Sequence, residues 1–371
     1  MSARAPRSLL EPRVPAEWQR EMREAIGTLE ALEREIALTP AERAGVERAA
    51  REGLPMRITR HYLELMDRAD PACPIRRQAI PVAEEADITA GEMVDPLGEV
   101  AHEVAPRLVR RYPDRALLLV TDRCALYCRF CTRSRMVGDG GGAAAVDALG
   151  PALTWLAEHP EIRDVIVSGG DPLTLSTSKL VSIVERLRAI ASIDTIRLAT
   201  RVPVTLPSRI TSELVDALRP HHPIWVMTHF NHPKELAPAA IRALERLADA
   251  GFPVMNQAVL LRGVNDDPDV LTALFRGLVR ARVRPYYLLQ MDPVVGTSHL
   301  RTPLARGREI MDALQGRLSG IALPKFIVDT PGGMGKVPAG PSFVVEERPG
   351  STVFRTHKTA AVEYVDPQEP R

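Results

Sequence analysis

The amino-acid sequence predicts an α/β fold, a partial (β/α) barrel with an N-terminal helical arm and a small C-terminal β-meander. Short apolar runs alternate with amphipathic stretches along residues 116–329, and a run of alternating character follows at 342–365. Buried apolar strands that alternate with helices are typical of parallel sheets. A series of roughly six or seven such units favours a barrel or partial barrel over a doubly wound sheet. We therefore expect an arm at 1–110, a partial barrel at 111–340 and a β extension at 341–371.

The arm is predicted to begin with two helices. Apolar residues between positions 18 and 36 recur at intervals of 3 and 4, the pattern of one amphipathic helix. Thr39, Pro40 and Glu42 fit an N-cap, a first-turn proline and a capping-box acid, so a second helix should begin there. Residues 54–110 are rich in Pro, Asp and Glu with weak periodicity, so we expect irregular structure or short helices.

The barrel region is expected to contain strands and helices in alternation. The apolar runs predict strands at 116–121, 164–168, 195–200, 223–228, 253–261, 285–290 and 325–329. The amphipathic stretches predict helices at 178–190, 212–220, 239–251 and 269–283. The glycine-rich stretch at 138–145 is expected to be a flexible loop.

Composition and charge exclude several classes of protein. The chain has 371 residues, 45% of them hydrophobic and 26% charged, as in ordinary globular proteins. Its formal net charge of +1 gives no reason to expect nucleic acid or a membrane surface as a partner. No secretory signal and no run of about 18 apolar residues is visible, so no membrane span is expected. Sparse cysteine usage favours a reducing compartment, and we expect a cytoplasmic protein.

Three cysteines crowd the stretch TDRCALYCRFCTRSR at 121–135, directly after the first barrel strand. Cys124, Cys128 and Cys131 have the spacing C-x3-C-x2-C, and an odd number cannot be consumed by disulfides. The carboxyl ends of strands carry the chemistry in (β/α) folds. Three thiolates on one loop suit a four-iron cluster with one iron left open. A zinc knuckle, which usually takes four ligands, and a chance grouping of buried thiols are the alternatives.

The second barrel strand ends in Val-Ser-Gly-Gly-Asp at 167–171. Glycines there would let the backbone approach a cofactor closely, and Asp171 offers an acceptor. The pentapeptide alone also fits an ordinary turn between a strand and a helix. Its position after the cysteine loop makes the cofactor interpretation the stronger one.

A glycine-rich turn, KFIVDTPGGMGKVP, follows the last barrel strand at 325–338. It is not a P-loop, because Thr330 stands where the first glycine is required and Val337 follows the lysine. Lys336 among small residues could instead be a Schiff-base lysine beside a flat cofactor. A solvated lysine in a turn is the alternative.

The stretch RYPDR at 111–115 precedes the first barrel strand. It places Arg111 and Arg115 on either side of Tyr112. Two guanidinium groups could anchor a phosphate, and the ring could pack against a cofactor. A charged turn before a strand is the alternative.

Together these motifs resemble the lysine 2,3-aminomutase family of radical S-adenosylmethionine enzymes. The resemblance extends along nearly the whole chain through DPACPIRRQAIP, RYPDR, CALYCRFCTRSR, VSGGDPL, THFNHP, LLRGVND, RVRPYYLLQMD and VDTPGGMGK. It implies a partial barrel of the radical SAM type, a 4Fe-4S iron–sulfur cluster, S-adenosyl-L-methionine and pyridoxal 5'-phosphate. It also implies an isomerase that moves the amino group of a basic L-amino acid from the α to the β carbon through a radical. An electron donor such as flavodoxin or ferredoxin would serve it, and a homo-oligomer is left open.

The same resemblance assigns expected roles to individual residues. The cluster would be bound by Cys124, Cys128 and Cys131. The S-adenosylmethionine site would be lined by Ser168, Gly169, Gly170, Asp171, His229 and Gln257. Pyridoxal phosphate would be held by the catalytic Lys336 with Arg111, Tyr112 and Arg115. The substrate carboxylate would pair with Arg133, and its distal amine with Asp292 and Asp329.

The two aspartates carry the expectation about the substrate. Asp292 and Asp329 close two strands that the fold should place on one rim, and two carboxylates in one pocket repel unless a cation lies between them. An acidic substrate would meet like charge there. We therefore expect L-lysine first and L-arginine second. A purely structural role for Asp329, before Thr-Pro-Gly, is the alternative.

The sequence also departs from the family pattern. No cysteine follows Cys131, and Asp267 stands where longer members have a zinc ligand, so no zinc site is expected. Ser134 and Met136 replace residues that are commonly Arg and Phe, and Leu289 replaces a Tyr often found in lysine enzymes. Rival interpretations are a lysine-modifying relative that serves a translation factor, another pyridoxal-dependent radical enzyme, and a non-catalytic iron–sulfur electron carrier.

Overall fold

The computed structural model of the protein describes residues 16–52, 54–138 and 146–367. The helices are α1 Glu17–Arg23, α2 Leu29–Glu33, α3 Pro40–Arg51, α4 Arg60–Glu64, α5 Gly150–Glu158, α6 Thr177–Arg188, α7 Val202–Thr205, α8 Ser212–Leu218, α9 Pro238–Asp249, α10 Pro268–Arg280 and α11 Leu304–Leu314. The strands are β1 Glu103–Ala105, β2 Leu108–Val109, β3 Arg115–Thr121, β4 Asp164–Gly169, β5 Thr195–Ala199, β6 Ile224–Thr228, β7 Val254–Leu260, β8 Arg284–Gln290, β9 Lys325–Thr330, β10 Gly335–Pro338, β11 Val344–Arg348, β12 Ser351–Phe354 and β13 Val362–Val365. Apart from Gly138, the predicted loop at 138–145 lies outside these ranges.

The main sheet has 10 strands in the order of the chain, from β1 to β10. Strands β3 to β9 are parallel, while β1, β2 and β10 add antiparallel strands at the two edges. Each parallel strand therefore lies beside the next one in sequence, and within the described ranges β1 and β10 are the two edge strands. The predicted partial barrel is confirmed, with each of its predicted strands present. Because the strands are parallel, their carboxyl ends share one rim.

The helices of the barrel region bury one face each against this sheet. In α10, Leu271, Leu274, Phe275 and Leu278 are fully buried, a spacing of one helical face. This helix begins at Asp267, whose carboxylate accepts hydrogen bonds from the N–H groups two and three residues later at 2.8 and 3.1 Å. Asp267 therefore acts as an N-cap here.

The prediction of one long first helix is wrong, whereas the second helix is confirmed. Helices α1 and α2 are separated because Ile26 pairs with Ile58 in an isolated bridge, with N···O distances of 2.7 and 2.9 Å. Ile26 is buried all the same, which is why the apolar periodicity continues through the break. In α3, Thr39 Oγ1 accepts from Glu42 N at 3.2 Å and Glu42 accepts from Thr39 N at 2.8 Å, the expected capping box.

The two ends of the chain differ in how they join the sheet. Strands β1 and β2 lie within the predicted arm but pair onto β3. The predicted β-meander is confirmed as a separate antiparallel sheet of β11, β12 and β13. The division into parts at residues 110 and 340 stays a prediction. No helix in the described ranges is long and apolar enough to span a membrane.

Candidate active site

A cavity of about 600 Å³ opens at the rim formed by the carboxyl ends of the parallel strands. All the site residues predicted from the sequence line it: Arg111, Tyr112, Arg115, Cys124, Cys128, Cys131, Arg133, Ser168, Gly169, Gly170, Asp171, His229, Gln257, Asp292, Asp329 and Lys336. These residues are spread over more than 200 positions of sequence. The fold therefore brings the predicted set together, while the role of each residue stays a prediction.

The cysteine loop follows β3 and is held in place by the arm. Tyr127 N donates to Arg57 O at 3.1 Å, and Arg129 N donates to Gln78 O at 3.0 Å. The Arg129 guanidinium, almost fully buried, forms an ion pair with Glu85 and also donates to a backbone carbonyl of residue 54 at 3.1 Å. Buried ion pairs with every donor satisfied fix geometry well. The arm thus sets the conformation of the loop that carries the cysteines.

Two of the three thiols, those of Cys124 and Cys131, lie where burial and neighbouring groups disfavour the charged thiolate form. Burial raises the pKa of Cys124 well above its ordinary value, and the neighbouring Cys131, Asp171 and Cys128 raise it further. Burial and then Cys128 raise the pKa of Cys131 to about 11. A group of thiols that disfavour each other's charge fits a bound metal cluster, which stabilises thiolates.

A single metal ion and an iron–sulfur cluster make different demands on the three cysteines. Among the residues that the structure describes, no three His, Cys, Asp or Glu side chains converge on one metal position. A single zinc ion would need its sulfur ligands all within about 2.3 Å of one point. An iron–sulfur cluster spreads its thiolates over several irons. The cluster assignment therefore rests on the C-x3-C-x2-C spacing of Cys124, Cys128 and Cys131 in the sequence.

The Gly-Gly-Asp motif at the end of β4 holds that strand against the cysteine loop. A Cβ on Gly170 would lie 2.3 Å from the carbonyl oxygen of Arg123, so only glycine fits there. Gly170 N donates to Thr121 O at 2.6 Å and Asp171 N donates to Arg123 O at 2.7 Å. The motif therefore serves backbone packing as well as any cofactor contact.

The Asp171 carboxylate lies between β4 and β5. It accepts hydrogen bonds from Thr200 Oγ1 at 2.7 Å, Arg201 N at 2.7 Å and Leu173 N at 3.0 Å. Burial raises its pKa to about 6, although these hydrogen bonds oppose the rise. Both of its oxygens are engaged within the chain, an arrangement that favours a positioning role over direct binding of the methionyl amine.

His229 directly follows β6 and Gln257 lies within β7, and both line the cavity. Burial and the nearby Arg201 lower the pKa of His229 to about 3, so its ring is neutral. The His229 ring nitrogen Nε2 lies 3.1 Å from Asn231 Oδ1. The ring centroid of His229 lies 5.5 Å from that of Phe130, within the cysteine loop. A neutral imidazole beside the cysteine loop can pack against an apolar or aromatic ligand.

Arg133 is paired with a residue that sequence reasoning missed. Its Nη2 donates to Glu99 Oε1 at 2.7 Å and its Nη1 donates to Ser168 Oγ at 3.3 Å. Arg135 also donates to Glu99, at 3.0 Å. Burial pushes the pKa of Glu99 upward, but the two arginines outweigh burial and hold it below its ordinary value. No motif marks Glu99, because it lies in the irregular segment before β1.

Lys336 and its neighbours form the other end of the cavity. Lys336 on β10 lies opposite Asp329 on β9, and their side chains form an ion pair. Arg111 Nη2 donates to the same carboxylate at 2.7 Å. Tyr112 Oη accepts from Lys336 N at 2.9 Å, and the Arg115 guanidinium lies 3.8 Å from the centroid of the Tyr112 ring. An aromatic ring, two guanidinium groups and a lysine amine together suit a phosphorylated planar aldehyde.

Gly333, one of the three glycines before Lys336, has a different use from the one expected. Gly333 has φ +79°, and a Cβ there would lie 2.6 Å from Leu97 O and 2.9 Å from the His102 ring. The space beside Gly333 is thus filled by the segment before β1, not left for a flat cofactor. Gly335 has only Tyr112 near its missing Cβ, at 3.8 Å or more.

Asp292, just after β8, differs from Asp329 in its electrostatic surroundings. Burial, and after it the charge of Asp329, raise the pKa of Asp292 to about 7. Lys336 and Arg111 form their ion pairs with Asp329 and lower the pKa of Asp292 less. The rim therefore holds two neighbouring carboxylates, and the ion pairs from Lys336 and Arg111 are made by Asp329 rather than by Asp292.

Arg201 was not among the site residues predicted from the sequence, although it directly follows the predicted strand at 195–200. Its Nη1 lies 2.7 Å from the Cys128 sulfur, and its guanidinium lies 5.3 Å from the Phe130 ring centroid. Its position directly after a buried strand could have identified Arg201, because the ends of the parallel strands lie at the same rim as the cysteines.

Tyr286 and Tyr287 also line the cavity, and their hydroxyl groups lie 2.8 Å apart. Nothing in the sequence apart from their place in a predicted strand indicated a functional role for them.

Comparisons with known proteins give a consistent result. The chain matches the sequence profile of the Radical SAM superfamily over residues 118–274 and that of Lysine-2,3-aminomutase over 311–370. It is 45% identical to the L-lysine 2,3-aminomutase of Fusobacterium nucleatum, across 95% of this chain and 83% of that protein. It is 44% identical to the L-lysine 2,3-aminomutase of Acetoanaerobium sticklandii, across 95% and 84%. It is 38% identical to the glutamate 2,3-aminomutase of Clostridioides difficile, across 94% and 82%.

Proposed function

The chain belongs to the lysine 2,3-aminomutase family, and on that premise we propose that it converts L-lysine to β-lysine. It is a radical aminomutase, an isomerase that uses a 4Fe-4S cluster, S-adenosylmethionine and pyridoxal phosphate. When bound, these groups supply the radical and the carrier for the migrating nitrogen. An amino acid is its substrate. The electron-carrier interpretation is therefore wrong.

The observation that carries the lysine assignment is the carboxylate pair at the rim. The raised pKa of Asp292 reflects its burial and the neighbouring charge of Asp329. A ligand that brings a positive charge between them relieves both the repulsion and the desolvation cost. An acidic side chain would add a third negative charge to the same place. The pair therefore selects a cationic side chain.

Lys336 supports the idea that a primary ammonium suits this position. Its Nζ already forms an ion pair with Asp329, in the arrangement a lysine substrate would need at its distal end. Arg111 holds the second oxygen of the carboxylate at 2.7 Å. Arg111 thus fixes the orientation of Asp329, and an incoming amine would take the position that the Lys336 amine holds at the other oxygen.

Arg133 supports recognition of the other end of the substrate. Its guanidinium lies on the cavity wall, with Nη1 directed to Ser168 Oγ and the remaining groups directed to Glu99. Guanidinium groups bind carboxylates through two parallel hydrogen bonds. We propose that the substrate carboxylate engages Arg133 from the cavity side while Glu99 fixes the guanidinium from behind.

Glutamate is the main alternative substrate to lysine. Arginine is an alternative with less support. The C. difficile relative is a glutamate enzyme, so the family accommodates both charge types. The arginine alternative has no support among the relatives reported above. We further propose a one-electron donor of the flavodoxin or ferredoxin class as partner. The cytoplasm as the place of action stays a prediction.

The decisive experiment offers the reconstituted, reduced enzyme L-lysine, L-glutamate and L-arginine separately under anaerobic conditions. We expect β-lysine as the main product, identified by mass and by chromatographic comparison with the β-amino acid. Faster conversion of glutamate or arginine would overturn the substrate assignment and leave the aminomutase family intact. Modification of a translation factor without release of free β-lysine would support the protein-modifying alternative instead.

A further inference from the structure

Arg201 is held rigidly between the cysteine loop and a buried polar network. Its Nη1 donates to Cys128 Sγ at 2.7 Å. Its Nη2 donates to Gln78 Oε1 at 2.6 Å and to Glu235 Oε1 at 2.8 Å, and lies 3.2 Å from Tyr62 Oη. Only 7% of Arg201 is exposed, so these contacts are made away from solvent.

The partners of Arg201 are themselves fixed by other bonds. Glu235 is completely buried and accepts from Asn231 N at 2.6 Å and from His232 N at 3.0 Å. Tyr62 Oη donates to Glu235 at 3.0 Å, and Gln78 accepts from Asn231 Nδ2 at 3.0 Å. A network in which each member has several partners leaves the guanidinium one orientation. That orientation directs one N–H at the Cys128 sulfur.

One donor of Arg201 remains free. Its buried Nε finds no partner within the part of the chain that the structure describes. Unpaired buried donors are uncommon, and each calls for an explanation such as a missing ligand. Arg201 lines the cavity between the cysteine loop and the end of β5. The same side chain thus contacts a cysteine sulfur and keeps one buried donor unused, which fits a cluster bound by the three cysteines.

Hydrogen bonds to cluster sulfurs and the net local charge set the reduction potential of iron–sulfur centres. Reduction adds one electron, so the reduced cluster is one unit more negative than the oxidised one. A guanidinium fixed at a ligand sulfur stabilises the more negative form. The nearby Glu235 carboxylate opposes it, because like charges repel.

We propose that Arg201 raises the reduction potential of the cluster through Cys128, and that Glu235 limits the rise. When the cluster is reduced, an external one-electron donor transfers one electron to it, and no covalent bond forms or breaks. Arg201 is in this sense a positioning and tuning residue. The inference depends on the cluster but not on lysine as the substrate, so the two can fail separately.

The test uses the full-length, anaerobically reconstituted protein without S-adenosylmethionine. The cluster is titrated with dithionite at set potentials, and the reduced form is measured by electron paramagnetic resonance. Arg201→Gln should make reduction about tenfold less favourable, a downward shift of about 59 mV for one electron. Glu235→Gln, which removes the opposing charge, should shift the potential upward.

Arg209→Gln is the matched control. Arg209 is a buried arginine like Arg201, but it donates to the backbone carbonyls of Leu173 and Leu175 at 2.8 and 3.0 Å. Its replacement should lower stability and leave the potential unchanged. Shifts of opposite sign in the Arg201 and Glu235 variants support the proposal, because loss of structure alone would not produce them.

Two outcomes would overturn it. One is a reduction potential equal to that of the wild type in both Arg201→Gln and Glu235→Gln, with the iron content unchanged. The other is loss of the cluster in both variants while Arg209→Gln retains it, which would assign the network to cluster assembly instead. If only Arg201→Gln loses its cluster, the sign of the shift in Glu235→Gln decides.

Discussion

Lys336 and Asp329 face each other across the antiparallel strands β9 and β10, and their side chains form an ion pair. The residue expected to carry pyridoxal phosphate thus contacts one expected to bind the substrate. Arg111 neutralises Asp329 from the other side. Asp292 lies beside this group without an equal share of the positive charge. The proposed cofactor and substrate sites are therefore coupled electrostatically.

Replacing either rim aspartate should impair use of a cationic substrate. Asp292→Asn or Asp329→Asn would leave the distal ammonium with one partner, and breaking a buried charge pair costs about 3–5 kcal/mol. Turnover of L-lysine, measured as kcat/KM, should fall by orders of magnitude. The effect should persist in high salt, since buried pairs are poorly screened.

Asp269→Asn is the control for this prediction. Asp269 is exposed in the first turn of α10 and pairs only at the surface, with Arg317. Surface pairs contribute little, so its replacement should leave kcat/KM almost unchanged. Equal losses in all three variants would contradict a specific role for the rim pair.

Binding of lysine to the protein without pyridoxal phosphate should strengthen as the pH rises through about 7. Asp292 has a pKa raised to about 7 by burial and Asp329, opposed by Lys336, Arg111 and Arg301, so it is neutral below that pH and charged above it. Only the charged form attracts the ammonium. Calorimetric titration at about pH 6 and about pH 8 measures the difference.

The same shift has a consequence for stability. The folded pKa of Asp292 exceeds its ordinary value of 3.8, so the folded state retains a proton that the unfolded state loses. Its contribution to stability is complete below pH 3.8 and is lost as the pH rises through about 7. In Asp292→Asn both the pH dependence of binding and this contribution should vanish. A binding profile unchanged by the substitution would assign the titration to another group.

The cluster should depend on Cys124, Cys128 and Cys131 but not on Cys73. Alanine at any of the three loop positions removes a ligand, so iron content and visible absorption should fall together. Cys73 lies in the hydrophobic core, where its sulfur accepts from Asp67 N at 3.3 Å. Cys73→Ala should reduce thermal stability and retain the iron. Iron loss in that variant with retention in Cys128→Ala would refute the assignment.

Lys336→Ala should abolish the covalent attachment of pyridoxal phosphate that borohydride fixes. Its amine lines the cavity, whereas Lys325 at the start of β9 is exposed. Lys325→Ala should therefore keep both the attachment and the amino-group migration. Reductive cleavage of S-adenosylmethionine should survive in Lys336→Ala, because the cysteine loop is unchanged. Peptide mapping of the fixed adduct to another lysine would show the assignment to be wrong.

Gly170→Ala should disturb the cysteine loop through the backbone alone. The added Cβ would lie 2.3 Å from Arg123 O, so the loop or the end of β4 must move. We expect weakened iron retention. Gly150→Ala in α5 meets nothing within 4 Å and should be neutral or slightly stabilising. Equal iron content in the two variants would argue against a tight contact between the motif and the loop.

The sequence by itself determined the parallel strands, four of the helices between them and many of the residues that line the cavity. Apolar runs and helical spacing reflect which residues are buried. Short motifs such as C-x3-C-x2-C identify functional residues at the ends of strands. The same local patterns gave a wrong prediction at residues 18–36, where one helix was expected and two are found. Ile26 is buried by pairing with the distant Ile58, and periodicity cannot distinguish that from a helix.

Only the tertiary structure decided which side chains are partners. Glu99 meets Arg133 and Arg201 meets Cys128, pairs separated by 34 and 73 positions, and no local pattern encodes either contact. Gly333 likewise accommodates Leu97 O rather than a cofactor. Hydrogen bonds and charge pairs depend on angstrom-scale distances between remote segments, and those distances exist only after the segments have packed.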